Sequence, residues 1–252
     1  MIRLLILALL ISSTAYAGSS RDIVDPSQWF DGGDIAAIDN ATELSISAWV
    51  IHDTLAEDDY ISANANGVTD GYLFLRDDVA SISGRTNTYM IFVAESTGTS
   101  NVRVEGASEA STNGVWTNVA FAYKEDTAST GLRLYVNGVE DANSPVSTSG
   151  IVGIDAGANV FLVANAVNSS NAAGLDGRIA HVQVWDRQIT ANEVVEAMRK
   201  PGSITKNLIG YYPMNGATGA GETDFSGAGN DLTDHGTSAT DTDGPPVMIG
   251  GS

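Results

Sequence analysis

The stretch GLDGRIAHVQVWDRQITANEVVEAM, residues 174–198, joins a strand pattern, a turn and a helix pattern without a break. From 178 to 186 the side chains alternate with a period of two, which is typical of a packed strand. One face would carry Ile179, His181, Gln183 and Trp185, and the other Ala180, Val182 and Val184. The second face is wholly apolar, so we expect a core strand here.

A short helix is predicted directly after this strand. Thr190 stands three residues before Glu193, the spacing at which a hydroxyl and a carboxylate satisfy two free backbone donors at a helix start. The apolar residues that follow recur at helical spacing on one side, and the Pro201-Gly202 pair would stop the helix. A single short helix that follows many strands is expected to pack on a sheet.

Strand signals separated by turn residues recur along most of the remaining chain. The run from Glu43 to Ile51 alternates strongly, and Asn137-Gly138 is the dipeptide best suited to a two-residue hairpin after a strand over 132–136. Shorter candidates lie at 71–76, 89–94, 101–105, 159–165 and 208–212. With one short helix near the C-terminal end, this order predicts an all-β antiparallel β-sandwich or jelly roll, and it excludes a parallel α/β plan.

The length and composition are typical of a single globular domain. The chain has 252 residues, of which 43% are hydrophobic, and this is enough for one large core.

Residues 1–17 contain one positive charge, a continuous apolar run and the small-x-small motif Ala15-Tyr16-Ala17, the order of regions in a secretory signal peptide. An uncleaved anchor is the alternative. We expect 1–17 to be removed, 18–252 to form a single domain, and the protein to be extracellular or periplasmic without membrane insertion.

The chain has no cysteine and a formal net charge of -19. Without cysteine no disulfide can form, so stability must come from the core and from any bound ions. A strongly acidic surface repels phosphate backbones, which argues against nucleic acid as a partner. Acidic loop residues can hold divalent cations, but a solvated surface suited to salty water explains the same charge.

Three segments occur in an order shared with a known family. They are LSISAWV at 44–50, GVWTNVA at 114–120 continuing to LYVNGV at 134–139, and the opening stretch with LDGRI at 175–179 and VWDRQITANE at 184–193. Together they resemble the laminin-G-like branch of the concanavalin A-like lectin and glucanase superfamily, which also includes the pentraxins. The resemblance implies a concanavalin A-like sandwich.

The segment 208–244 carries a further similarity. YYPMN at 211–215 and DFSGAGN at 224–230 resemble a pair of motifs that precedes the sandwich in many family members. The first and last strands of this fold are neighbours, so we interpret 208–244 as a permuted edge segment, which argues against the disorder that its composition would suggest. A second, truncated repeat is the alternative explanation.

The resemblance also implies a calcium ion at one edge of the sandwich, held by loop carboxylates and backbone carbonyls. Hard oxygen ligands of this kind suit calcium. The candidates by position are Asp53, Asp58, Asp59, Asp70, Asn165 and Asn168. Asp and Asn are also common turn residues, so a purely structural role is the alternative for each.

Aromatic residues are the candidate sugar-binding groups. Four of them could stack on sugar rings if they are exposed on a concave face: Trp29, Tyr60, Tyr72 and Tyr89. Core or edge packing is the competing interpretation of each. Trp49 and Trp116 instead resemble the family's core tryptophans.

Motifs for catalysis are missing from the sequence. No strand carries the alternating carboxylates that glycoside hydrolysis requires, and neither a serine-hydrolase elbow nor a zinc-protease motif occurs. We therefore predict a secreted, non-catalytic module that binds a glycan or polysaccharide, with calcium as a candidate cofactor. The alternatives are a structural or adhesive protein of an envelope, matrix or virus particle that binds other proteins, and a polysaccharide-degrading enzyme.

Overall fold

The structure is a computed structural model that describes residues 16–24, 27–54, 58–65, 70–77, 87–95, 100–107, 112–126, 130–154, 159–166 and 174–247. Within those ranges it contains one helix, α1 (Ala191–Arg199). The strands of the N-terminal half are β1 (Tyr16–Ala17), β2 (Ser20–Ile23), β3 (Trp29–Asp31), β4 (Glu43–His52), β5 (Asp59–Ala65), β6 (Gly71–Asp77), β7 (Thr88–Ala94), β8 (Asn101–Glu105) and β9 (Thr117–Lys124). The others are β10 (Leu132–Val136), β11 (Val139–Glu140), β12 (Leu162–Val163), β13 (Gly177–Trp185), β14 (Leu208–Tyr212), β15 (Thr233–His235), β16 (Ala239–Asp241) and β17 (Pro246–Val247).

Two antiparallel sheets form the sandwich. The eight-stranded sheet has the order β11-β10-β9-β4-β13-β2-β16, with β14 also paired to β13, and the seven-stranded sheet has the order β15-β3-β12-β5-β6-β7-β8. A separate pair joins β1 to β17. The prediction of an all-β antiparallel sandwich with one short helix is confirmed.

The main core lies between the two sheets. Alternation in β4 directs one set of side chains into it: Leu44, Ile46, Ala48 and Val50. Helix α1 covers the outer face of the same sheet, where Val194 and Ala197 pack in one cluster with Ala120 and Trp185. Helix α1 therefore covers part of the outer face of the eight-stranded sheet, which leaves less of that face available for a ligand.

Two of the predicted strands differ from the pattern read in the sequence. His181 has a φ of 50°, and the register of β13 with β4 shifts between Ala180 and Gln183. The predicted division of faces is therefore wrong, because an inserted residue reverses the alternation: Ile179 lies in the main core and Ala180 on the outer side. The predicted strand over 159–165 is reduced to β12, since Ala164 turns the backbone away with a φ of 65°.

The start of α1 follows the predicted capping arrangement. Glu193 donates its backbone N–H to the Thr190 hydroxyl at 3.3 Å, and its carboxylate accepts from the Thr190 N–H at 2.8 Å. Arg187 adds two hydrogen bonds to the same carboxylate at 2.8 and 3.0 Å. Chiefly through the bonds from Arg187, the pKa of Glu193 falls to about 2.

Replacing Glu193 with glutamine is expected to lower the free energy of unfolding by about 1–2 kcal/mol at pH 7, because a charge-assisted bidentate contact is lost at a partly exposed site. The folded-state pKa lies below the ordinary one, so the carboxylate stabilises the fold fully above pH 4.5, and this contribution is lost as the pH falls towards 2. Urea unfolding at pH 7 and pH 3 checks this. The penalty for Glu193→Gln should shrink at pH 3, with Glu196→Gln on the same helix measured at both pH values as the matched control; an equal penalty for Glu193→Gln at pH 7 and pH 3 contradicts the explanation.

The two ends of the chain meet at one edge of the sandwich. β15 pairs with β3 in the seven-stranded sheet, and β16 pairs with β2 in the eight-stranded sheet. The connections from β2 to β3 and from β15 to β16 both pass from one sheet to the other. These four strands therefore close this edge. The interpretation of 208–244 as a permuted segment of one domain stays a prediction.

A buried ion pair fixes the closed edge. Arg21 Nε lies 2.5 Å from Glu222 Oε1, and neither side chain is more than 2% exposed. Arg21 also donates to three backbone carbonyls, those of Ala217, Ala220 and Ser238. Glu222 accepts from the backbone N–H groups of Asn215 and Gly216. Both charged groups thus accept or donate several further hydrogen bonds, and these offset the cost of removing the pair from water.

Candidate functional site

Two aromatic rings are stacked on each other at the closed edge of the seven-stranded sheet. Trp29 of β3 and His235 of β15 are opposite each other in the antiparallel register. Their ring centroids are 4.8 Å apart and their planes are inclined by 7°. Trp29 is half-buried and the His235 side chain is 38% exposed. Part of this stacked pair is therefore open to solvent.

Alternation in β3 explains why Trp29 points outward. Phe30 is completely buried in the main core, so its neighbours Trp29 and Asp31 project from the opposite face. Asp31 is paired with Thr233, which is exposed. We call the four side chains on this face the edge site: Trp29, Asp31, Thr233 and His235.

The edge site combines an aromatic surface with polar groups. Asp31 Oδ2 lies 3.6 Å from His235 Nε2, and Asp31 Oδ1 accepts from the Gly33 N–H at 2.7 Å. The Asp31 side chain is 34% exposed, so its Oδ2 side can meet a ligand. Such an arrangement suits an amphipathic ligand whose apolar face covers the rings and whose hydroxyl groups meet the carboxylate, imidazole and threonine.

The rest of this outer face is less accessible. Cross-strand pairing places seven residues in one row over the sheet: Thr233, Asp31, Leu162, Ala63, Leu73, Phe92 and Arg103. The middle of the row, from Leu162 to Leu73, is buried. At the far end of the row Phe92 is half-buried and Arg103 is exposed, so both ends of this face are open in the part of the chain that the structure describes. The β3–β15 end differs in that two stacked rings, Trp29 and His235, lie beside the row there.

Only two of the four predicted aromatic residues are placed to meet a ligand. Trp29 belongs to the edge site, and Tyr60 is half-buried on the outer face, opposite Leu75. Tyr72 and Tyr89 cannot stack on a sugar, because both are completely buried in the main core. Tyr72 shares the inward side of β6 with Phe74, and its hydroxyl lies 2.9 Å from Ser62 Oγ. For these two residues the packing interpretation is correct.

Asp59, a predicted calcium ligand, is instead part of a buried ion-pair cluster. Its Oδ2 lies 2.5 Å from an Arg76 nitrogen and 2.8 Å from His52 Nδ1, and its Oδ1 accepts from the Asp176 N–H. Burial raises the pKa of Asp59 to about 7 while Arg76 opposes that shift, and burial holds the pKa of His52 well below its usual value. These contacts occupy both Asp59 oxygens inside the protein, so the role of this carboxylate is structural.

The other predicted calcium ligands are dispersed or differently engaged. Asp53 is exposed and lies 4.0 Å from Arg178, which Asp241 and Asp243 also approach. Asn165 is buried, and its side-chain oxygen accepts from the Ala166 N–H. The positions that remain are Asp58 and Asp70, which are half-buried, and Asn168, which lies outside the described residues. Among the described residues, no group of three or more His, Cys, Asp or Glu side chains is arranged to hold a metal ion.

Sequence reasoning identified Trp29 but missed its neighbours in the edge site. His235 and Thr233 reach it through pairing of two strands that lie near opposite ends of the chain, and no local pattern reports such pairing. The alternation of Trp29 and Asp31 about Phe30 was the one available signal.

No helix in the described ranges is long and apolar enough to cross a membrane.

Comparison with known proteins gives one family and several similar structures. A model of the concanavalin A-like lectin/glucanases superfamily matches residues 27–195. No curated protein sequence matches the chain. A protein from Bacteroides ovatus ATCC 8483, provisionally described as carbohydrate-binding, superposes with a TM-score of 0.69 at 18% identity, covering 93% of this chain and 62% of its own. This chain thus spans less than two thirds of the Bacteroides protein.

Two further structures share the fold at lower similarity. The heptameric SAP-like pentraxin from Limulus polyphemus gives a TM-score of 0.53 at 12% identity, over 73% of this chain and 82% of the pentraxin chain. The CBM40 module of the Ruminococcus gnavus IT-sialidase, bound to α2,3-sialyllactose, gives 0.51 at 16% identity, over 71% of this chain and 95% of the module.

Proposed function

This chain belongs to the concanavalin A-like lectin/glucanases superfamily, and we propose that it is a non-catalytic module that recognises glycans through the edge site. The resemblance predicted from three sequence segments is confirmed by the family match. Secretion to the cell exterior or periplasm, predicted from residues 1–17, is part of the proposal. Superfamily membership is compatible with many functions, so sugar binding has to be supported by the residues of the site.

The observation that carries the proposal is the partly exposed stack of Trp29 and His235 beside Asp31. A pyranose ring has apolar C–H faces and a rim of hydroxyl groups, so it can cover an aromatic ring while its hydroxyls meet polar side chains. Both rings are already held parallel by cross-strand pairing and by each other. Little conformational entropy should therefore be lost when a sugar binds.

Two of the similar structures support a sugar as the ligand class. The Bacteroides protein is provisionally described as carbohydrate-binding, and the Ruminococcus module was solved with sialyllactose bound. Their identity to this chain is below 20%, so they support the class of ligand and do not specify which sugar binds here.

The contacts of the carboxylates favour binding without catalysis. Glycoside hydrolysis needs two carboxyl groups that flank the scissile bond. The edge site contains one, Asp31, whereas Asp59 and Glu222 are buried in ion pairs with arginines. Asp224 accepts hydrogen bonds from the backbone of its own loop and of Tyr211.

A glycan array probed with the purified protein tests the proposed function. We expect binding to a subset of glycans at micromolar to millimolar affinity. Release of reducing sugar from the bound glycans would support the enzyme alternative instead. If no glycan is bound while the protein self-associates or binds other proteins, the recognition proposal is wrong and a structural or adhesive role takes its place.

Calcium dependence is a separate proposal. If calcium binds with a dissociation constant of roughly 10⁻⁴ M, a tenfold excess over that value should stabilise the fold by about 1.4 kcal/mol. A thermal shift that appears with calcium, disappears with a chelator and is absent with magnesium would support a site. Unfolding temperatures that do not change at millimolar calcium would exclude it.

A further inference from the structure

The basic residues of the chain are distributed unequally between the two sheets. Those described on the eight-stranded sheet, or in the 186–207 segment that carries α1, are Arg21, Lys124, Arg133, Arg178, Arg187, Arg199, Lys200 and Lys206. The described strands of the seven-stranded sheet carry Arg76 and Arg103. Eight of the ten described basic residues thus belong to the other sheet or to the α1 segment; of these Arg21 reaches the closed edge, but it is buried and its charge is paired with Glu222.

Neither arginine of the seven-stranded sheet can serve the edge site. Arg76 points inward and is ion-paired to Asp59. Arg103 lies on β8 at the opposite edge, five strands away from β3, which is about 24 Å at the usual strand spacing. This distance is about three Debye lengths at physiological ionic strength, so the charge of Arg103 is largely screened from a ligand on Trp29.

The charge that does lie at the edge site is negative. Asp31 is one of its four residues, and Asp34, three positions further along the chain, is exposed. His235 is the only basic side chain of the site, and Asp31 already lies 3.6 Å from it. Among the described residues, a carboxylate or sulfate on a ligand would therefore meet the Asp31 carboxylate with no arginine or lysine in the edge site.

We propose that the edge site selects uncharged glycans and disfavours glycans that carry sialic acid, uronic acid or sulfate. This inference rests on the proposed function and specifies its ligand class. A like charge about 5 Å away in water lowers affinity about fourfold, and with Asp34 nearby we expect about a tenfold preference at low salt. The site would then differ in its ligand from the sialyllactose-bound Ruminococcus module.

An array that carries neutral oligosaccharides beside their sialylated, uronic-acid and sulfated forms tests the inference. The neutral forms should bind about tenfold more tightly at low salt, and the difference should shrink at about 0.5 M salt, where charges are screened within roughly 4 Å. Acidic forms that bind as tightly as their neutral partners overturn the inference but leave the proposed function standing. If none of the glycans binds, the proposed function fails and the inference fails with it.

Two variants link the preference to named charges. Asp31→Asn keeps the shape of the side chain and removes its charge, and Asp34→Lys reverses an exposed charge outside the four residues of the edge site. Each should raise the affinity for acidic forms relative to neutral ones by about threefold or more. Glu196→Gln on α1 is the matched control for Asp31→Asn, because it makes the same one-unit charge change on the helix that covers the other sheet. A neutral-to-acidic ratio that is unchanged in both edge variants overturns the inference.

Discussion

Replacing Arg21 with alanine is expected to lower the free energy of unfolding by about 3–5 kcal/mol, because it leaves the Glu222 carboxylate buried without its cation. The three backbone carbonyls that Arg21 serves would also lose a charged donor. The loss should be concentrated at the closed edge, because Glu222 and those carbonyls belong to the C-terminal segment and Arg21 to β2. Chemical denaturation at neutral pH measures the effect.

Two further variants separate the ion pair from general damage. Arg133→Ala breaks the Arg133–Glu140 pair, whose side chains are each about a quarter exposed, and should cost less than about 1 kcal/mol. The double variant Arg21→Met/Glu222→Leu should be less destabilised than Arg21→Ala alone, since no buried charge remains unpaired. If Arg21→Ala and Arg133→Ala cost the same, the buried pair does not hold the edge as described.

Replacing Trp29 with alanine is expected to weaken glycan binding by about 2 kcal/mol, or about thirtyfold, because a central aromatic contact is removed. The fold should be kept, since Trp29 is half-buried at an edge and lies outside the main core. Calorimetric titration with a glycan selected from the array gives the affinity, and near-ultraviolet circular dichroism checks the packing.

Phe225→Ala is the matched control for Trp29→Ala. Phe225 is 63% exposed and contacts Tyr211 of the eight-stranded sheet, so it is an exposed aromatic residue remote from the edge site. Its replacement should leave the affinity within a factor of about two. If Phe225→Ala weakens binding and Trp29→Ala does not, sugar recognition occurs on the other sheet.

Local patterns were sufficient to predict the fold class. The alternation of 43–51 corresponds to β4, and Asn137-Gly138 forms the corner between β10 and β11 with φ angles of 50° and 78°. The Thr190–Glu193 spacing gives the helix cap. Each of these signals depends on residues within a few positions of one another, which is why sequence alone reveals it.

The details that sequence could not provide depend on packing partners. The insertion at His181 is invisible in the residue pattern, because a histidine fits either face of a strand until the register with β4 is known. Tyr72 and Tyr89 are as compatible with exposure as with burial until the second sheet is placed over them.

The edge site could not be predicted from the sequence for the same reason. Its two rings come from β3 and β15, and their contact depends on how the ends of the chain pair. Asp59 was predicted to bind calcium but is ion-paired for a similar reason. Its partner Arg76 lies on the next strand, and the pairing cannot be inferred from the acidic run around 57–59. The sequence was sufficient to identify candidate aromatic and acidic binding residues, but not the residues that lie next to them in the fold.

The indole N–H signals of the four tryptophans provide the most direct test of the central claim. Trp49 and Trp185 donate their indole N–H to the carbonyls of Met198 and Ile204 inside the protein, and the Trp116 indole nitrogen is also buried. In a two-dimensional NMR titration with the selected glycan, assigned through Trp29→Phe, we predict that the Trp29 signal moves and saturates with the binding curve while the other three stay in place. A glycan that binds without moving the Trp29 signal would contradict recognition at the edge site.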